Sequence, residues 1–479
     1  MGVRIEHDFI GELEIDDSVY YGVQTYRAMQ NFNITGDKLS SYPSFIKAFA
    51  QVKKAAALAN YELNLLDDKV NNAICAACDK LINGEYVDQF VVDMIQGGAG
   101  TSTNMNTNEV IANIALEIMG YKKGEYKYCH PNDHVNLSQS TNDAYPTAIH
   151  VALYSELSTF AKDMEVLKNA FAKKAIEFKD ILKMGRTQLQ DAVPMTLGQE
   201  FNTFSIMIDE DIQRVLEARE LIKEINMGGT AIGTGINSDP KYPKIVERKV
   251  REVTGVDFKT ADNLIEATQD TGAYVQVSGI LKRVAVKLSK VCNDLRLLSS
   301  GPRAGLNEIN LPKMQPGSSI MPGKVNPVIP EVVNQVCYAV IGNDVTISFA
   351  SEGGQLQLNV FEPIMAYSLF NSISMMRQAI LTLASRCIEG ISANEEICKE
   401  FVLNSIGIVT ALNPYIGYEN SASIAKEALN TGKKVYDIAL ERGLLTKDQL
   451  DEIFQPENML NPHMSAEDKA KFQKHSPFA

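Results

Sequence analysis

Val277-Ser-Gly-Ile-Leu281-Lys-Arg-Val284-Ala-Val-Lys-Leu288-Ser-Lys-Val291-Cys-Asn-Asp-Leu295-Arg-Leu-Leu298 places an apolar side chain at alternating steps of four and three. That spacing lines up one stripe on a long helix, the pattern of a coiled-coil seam. A second seam runs through Met365, Leu369, Ile373, Met376, Ile380, Leu383 and Cys387. A third, between Leu197 and Ile225, runs through Phe201, Phe204, Ile208, Ile212, Val215, Ile222 and Ile225. Helices of about 30 residues extend roughly 45 Å, longer than a small domain needs, so they are expected to pack side by side as a bundle. The helix expected after Pro330 carries Val332, Val333, Val336, Cys337, Val340 and Ile341 around more than one face. Burial inside an oligomer accounts for that distribution.

Working outward, the chain divides into three segments: a mostly helical 1–140, the long-helix bundle 141–395 and a small helical 396–479. Glu12-Leu-Glu-Ile-Asp16 alternates like a short strand. The 479 residues exceed one ordinary core. A net charge of −13 and a pI near 5.1 exclude nucleic acid as a partner, because phosphate neutralisation needs a basic face. No apolar run reaches membrane-spanning length and no leader opens the chain, so a soluble cytoplasmic protein is expected. Seven scattered cysteines fit reduced thiols better than a disulfide framework. Cys75 and Cys78 have redox or zinc spacing without a second such pair, and Cys129, His130 and His134 lack further ligands, so no metal is assigned.

Polar clusters interrupt the apolar pattern. Gly317-Ser318-Ser319-Ile320-Met321-Pro322-Gly323-Lys324-Val325-Asn326-Pro327 collects two hydroxyls, a cation and a carboxamide between residues that resist helix. It is a loop able to set several donors on one carboxylate. Gly97-Gly-Ala-Gly-Thr101 opens a helix whose free amides favour an anion, and no Gly-Lys-Ser/Thr follows to make it a P-loop. Ser138-Gln-Ser140-Thr141-Asn142-Asp143 ends in a helix start, where N-capping alone would explain the residues. Gly185-Arg186-Thr187-Gln188-Leu-Gln-Asp191-Ala-Val-Pro194 is expected to be a polar turn before the helix at Leu197. Gly228 to Gly235 lacks the third glycine of a dinucleotide fingerprint and is taken as a loop at a helix end.

Taken with Tyr21-Gly-Val-Gln-Thr25, Gly342-Asn-Asp344 and Gly354-Gln-Leu-Gln-Leu-Asn-Val360, these clusters resemble the fumarase/aspartase superfamily over almost the whole chain. The resemblance implies a mainly α, three-domain fold whose central helical bundle assembles into a homotetrameric core, with active sites drawn from three subunits. It implies elimination from a succinyl compound to give fumarate. Fumarases of the superfamily typically have Ser-Ser-Asn-Asp where this chain has Ser140-Thr141-Asn142-Asp143, and Gly-Arg-Thr-His where it has Gln188. An imidazole handles water's proton near neutral pH and a carboxamide does not, so Gln188 disfavours fumarase. Val-Ile-Pro-Glu-Val-Val after Pro327 and Gln355-Leu-Gln-Leu-Asn-Val360 are similar to the ammonia-releasing branch. That branch converts L-aspartate to fumarate and ammonia. A fumarase, or a non-catalytic protein that keeps the fold, are the alternatives.

The same resemblance implies roles by residue. Ser318 corresponds to the base that takes the Cβ proton, giving an enediolate that needs donors at its oxygens. Thr101, Ser140, Thr141 and Ser319 correspond to the holders of the β-carboxylate. Thr187, Lys324 and Asn326 correspond to those of the α-carboxylate, with Asn142 and Thr101 near the amino group and Gln188 a further candidate. No cofactor is expected, since the adjacent carboxylate already stabilises the carbanion.

Overall fold

The computed structural model describes residues 2–460, so residues 461–479 of the third segment lie outside it. A hairpin of β1 (Val3–Asp8) and β2 (Gly11–Asp16) pairs Val3 with Asp16 and Asp8 with Gly11. The alternation at Glu12–Asp16 anticipates only its second strand. Then come α1 (Val23–Asn31), α2 (Pro43–Glu62), α3 (Asp68–Ile82), α4 (Thr101–Ile118) and α5 (Thr141–Glu177). A second hairpin, β3 (Leu182–Thr187) with β4 (Gln190–Thr196), precedes α6 (Leu197–Leu221). The two-residue strands β5 (Glu224–Ile225) and β6 (Lys259–Thr260) flank α7 (Tyr242–Thr254). Next stand α8 (Leu264–Ala267), α9 (Gly272–Leu298), β7 (Ile309–Asn310), α10 (Val328–Glu352), α11 (Glu362–Arg386) and β8 (Ser392–Ala393). The short helices α12 (Glu395–Asn404), α13 (Asn413–Thr431), α14 (Val435–Glu441), α15 (Lys447–Ile453) and α16 (Pro456–Leu460) complete the chain.

The fold is mainly helical, as the seams require. Every residue of the Val277–Leu298 seam is at most 5 % exposed, and those of the Met365–Cys387 seam are at most 1 % exposed. The third seam overruns its helix: α6 stops at Leu221, and Ile225 is buried from β5. α10 buries Val333, Cys337, Val340 and Ile347 and leaves Tyr338, Val345 and Phe349 more than half exposed.

The chain forms two compact units. The first takes Met1–Asp163, Asp211–Val286 and Gln335–Gln378. In it α2 packs on α3 and α7, and Phe45 joins Phe49, Tyr145 and Phe370 at ring separations of 5.4, 5.7 and 5.1 Å. The second takes Met164–Glu210, Lys287–Asn334 and Ala379–Ala479. Its described part is held by Phe171, Phe201 and Phe204, and by a core in which Met184 meets Val402, Leu412, Ile424, Ile438 and Leu450. Such buried apolar side chains contribute roughly 1.5–3 kcal/mol each. Among the described residues no helix is long and apolar enough to cross a membrane.

Candidate active site

In the first unit the predicted residues gather where α4 and α5 begin. Gly100, at φ +90°, turns the chain into α4, and Thr101 follows it, exposed, with its hydroxyl donating to the Gly98 carbonyl at 2.7 Å. At α5 the Ser140 Oγ accepts from the Asn142 amide at 3.2 Å, and Asp143 Oδ1 accepts from the Ser140 amide at 2.9 Å. These are ordinary capping contacts, and they leave the Thr141 hydroxyl and the Asn142 side chain partly exposed. Asn104 Nδ2 donates to Thr141 Oγ1 at 3.1 Å and to Asn136 Oδ1 at 3.1 Å. Asn142 Nδ2 donates to the Ala231 carbonyl at 2.7 Å. Thr101 and Ser102 also line a cavity of about 630 Å³ with Gln24, Arg27, His130 and Asn132.

Beneath this shell lie two residues that carry no predicted role, Lys53 outside the motifs and Asp143 at the end of one. Lys53 is fully buried on α2 and donates to Asn136 Oδ1 at 3.0 Å and Gln139 Oε1 at 2.9 Å. Burial pushes its amine down to about 7, against the attraction of Asp143. Asp143 is itself buried; its Oδ2 accepts from the Gly228 and Thr230 amides at 3.1 and 2.9 Å, and burial pushes its carboxyl up to about 6. The Gly228 loop is thus a strut for α5, entered from β5 rather than directly from a helix. A signal for Lys53 exists: Phe49, Val52, Lys53 and Ala56 share one helical face, so a lysine stands at a core position.

In the second unit, Gly185 to Pro194 forms most of the β3–β4 hairpin rather than an isolated polar turn. Gln188 and Leu189 hold φ of +55° and +61°, the left-handed pair that a two-residue hairpin turn demands. Thr187 and Gln188 are exposed at its tip. Arg186 Nη1 reaches the fully buried Glu308 Oε1 at 2.6 Å, and Lys183 Nζ lies 3.1 Å from Glu308 Oε2. The hairpin is therefore anchored by a buried carboxylate with two cations.

The loop from Gly317 to Asn326 is closed at its neck. The Gly317 amide donates to the Lys324 carbonyl at 2.8 Å, and Asn326 Nδ2 donates to the Gly317 carbonyl at 2.7 Å. A Cβ on Gly317 would meet that Lys324 oxygen at 2.5 Å. Ser318 Oγ accepts from the Ile320 and Met321 amides at 3.2 and 3.0 Å, while Ser319 and Lys324 face solvent. Two amides pointed at one oxygen favour its anionic form. The predicted residues thus fall into two groups: Thr101, Ser140, Thr141 and Asn142 in the first unit, and Thr187, Gln188, Ser318, Ser319, Lys324 and Asn326 in the second.

A family model described as lyase matches residues 11–342, and one described as the fumarase C C-terminus matches residues 408–461. The chain belongs to the fumarase/aspartase superfamily. Within the superfamily it is 71 % identical to the aspartate ammonia-lyase of Helicobacter pylori strain 26695 over 461 residues, covering 96 % of this chain and 98 % of the relative. It is 57 % identical to the Escherichia coli K12 aspartate ammonia-lyase, covering 97 % of each. Among solved structures it is similar to a Brucella melitensis fumarate lyase:delta crystallin bound to cobalt, with TM-score 0.94, 52 % identity and coverage of 96 and 99 %. A class II fumarase from Schistosoma mansoni has TM-score 0.91 at 35 % identity, covering 97 and 100 %. Among the described residues no group of three or more His, Cys, Asp or Glu side chains is placed to hold a metal ion. Cys75 and Cys78 lie on α3, where burial pushes both thiols up, away from the reactive thiolate.

Proposed function

We propose that the chain is an aspartate ammonia-lyase that converts L-aspartate to fumarate and ammonia. The observation that carries this reading is the near full-length identity to relatives of that name. Removing the Cβ proton leaves negative charge on the adjacent carboxylate, and the reaction proceeds only if donors meet the resulting enediolate. Ser318 is the base; the amides of Ile320 and Met321 at its Oγ stabilise the alkoxide it needs. Thr101, Ser140, Thr141 and Ser319 hold the β-carboxylate, and Thr187, Lys324 and Asn326 hold the α-carboxylate. Asn142 lies at the amine, which leaves as ammonia, and Gln188 stands beside Thr187 where fumarases place an imidazole.

The site is composite, contributed by several copies of the chain, as the likeness to the superfamily implies. The exposed Tyr338, Val345 and Phe349 on α10 offer the apolar face that a homotetramer would cover. The setting is the cytoplasm. Ultraviolet detection of fumarate with L-aspartate, L-malate and N-substituted aspartates in parallel tests the assignment. Fumarate from L-aspartate alone is the expected result, and fumarate from L-malate alone would replace it with fumarase.

A further inference from the structure

One turn along α5 from Asn142, the first unit encloses a cavity of about 70 Å³ that none of these roles uses. That volume suits an occupant of about water size or slightly larger. Its walls include Pro146, Asn226, Thr271, Tyr274 and Glu362. Three more carboxylates that line it, Glu224, Glu266 and Asp270, are exposed to solvent. Burial, then the charges of Asp270 and Glu224, push the Glu266 carboxyl up. Among the described residues no lysine or arginine lines the cavity.

Two polar side chains of the walls have no hydrogen-bond partner among the described residues. Glu362 is 4 % exposed, and its carboxyl accepts no hydrogen bond from any described residue. The Tyr274 hydroxyl, on a side chain 2 % exposed, is likewise without a partner. Asn226 spends its amide on the Asn142 carbonyl at 2.9 Å and on Thr268 Oγ1 at 3.2 Å, and its carbonyl accepts from Thr147 Oγ1 at 3.5 Å. His150 Nδ1 sits 2.6 Å from the Glu224 carbonyl and the ring also bonds the Ile222 backbone, so it is already held by the main chain. A buried polar group that stands unpaired costs about 1–3 kcal/mol, so a ligand that pairs with the Tyr274 hydroxyl beside the Glu362 carboxyl would be held there.

Glu362 stands in the first turn of α11, where helix amides favour the ionised carboxylate, yet burial pushes it up to about 8. A positive charge beside it would resolve that opposition. A divalent ion is the wrong class: it requires several converging carboxylates and gives up its water reluctantly, and such a cluster does not occur among the described residues. We propose that this cavity binds a desolvated monovalent cation of ammonium size, with Glu362 and Tyr274 as its inner acceptors and Glu224, Glu266 and Asp270 as its rim. Asn226 bonds the Asn142 backbone from this wall, so the cation sits directly behind the end of the site that meets the amine. The role of ammonium as product rests on the ammonia-lyase reading; the site itself, which potassium would equally fill, does not.

The test is the thermal midpoint of the full-length protein without substrate, in ammonium, potassium, magnesium or choline chloride at constant ionic strength. Ammonium and potassium should each raise the midpoint by a few degrees over choline, in a saturable manner, and magnesium should not. Glu362→Gln should abolish that difference. If this variant does not fold, the exposed pair Glu266→Gln and Asp270→Asn should weaken the apparent affinity several-fold. Thallium(I) soaked into crystals should give an anomalous peak beside Glu362. Equal midpoints in choline and potassium, a response confined to magnesium, or a selective shift that survives in Glu362→Gln would overturn the proposal. Fumarate production from L-aspartate with no monovalent response removes the cation site alone. A monovalent response without fumarate production removes the lyase reading alone.

Discussion

Asn104 Nδ2 donates to Thr141 Oγ1 across 3.1 Å, so one buried side chain of α4 orients the first hydroxyl of α5. The same amide reaches Asn136, which also receives Lys53 and Asn108. Asn104→Ala should leave Thr141 free to rotate and lower kcat/KM for L-aspartate about tenfold, roughly 1.4 kcal/mol of transition-state binding. Steady-state fumarate absorbance measures it; an unchanged kcat/KM would separate Thr141 from the substrate.

Ser318 bonds only amides of its own loop in the described structure, and the loop neck is held by Gly317, Lys324 and Asn326 instead. Ser318→Ala should therefore keep its far-ultraviolet dichroism and thermal midpoint while kcat falls by about a thousandfold, within the range for loss of a general base. Near-normal turnover would remove Ser318 from that role.

Gly100 combines a left-handed φ of +90° with a site where a Cβ would come within 2.5 Å of the Tyr145 ring. Tyr145 is buried against Phe45 and Phe49 and has little room to yield. Gly100→Ala should cost about 3 kcal/mol or more of stability, from backbone strain and overpacking together. Urea denaturation reads this directly, and a loss below about 1 kcal/mol would mean that the ring moves aside.

Glu362 supplies a pH signature. Burial raises its carboxyl from 4.5 to about 8, so the folded chain keeps a proton that the unfolded chain releases in that window. A raised carboxyl stabilises fully below pH 4.5, and that share is lost as the pH rises toward 8. Tyr145 and Tyr274 face it, and Glu224, Glu266, Asp270 and His150 line the same cavity. In choline buffers, wild type should lose up to about 1.4 kcal/mol per pH unit relative to Glu362→Gln, a neutral mimic of the protonated side chain. Denaturation curves that stay parallel from pH 5 to 8 would contradict it.

The helical seams were legible because burial acts residue by residue along one face; Val277 through Leu298 needed no partner to be recognised. The starts of α4 and α5 were legible for a local reason too, a glycine run and a capping serine. The β3–β4 hairpin was not. Its turn residues, Gln188 and Leu189, lack the Asn-Gly chemistry that announces a left-handed pair, so strand pairing and the Arg186–Glu308 contact impose a conformation that local propensity does not favour. Lys53 and Asp143 escaped for a different reason. Lys53 stands on the apolar face of α2 and Asp143 in a capping cluster, but which groups each one holds is decided by tertiary packing alone.

Tyr145 has one further consequence. Its ring stands against Gly100, which positions Thr101, and within the field of Glu362 in the cavity wall. Two binding events that bear on one rigid group are thermodynamically linked, and linkage is symmetrical. Whatever factor an ion behind the ring adds to the affinity for a dicarboxylate, the dicarboxylate must return to the affinity for the ion.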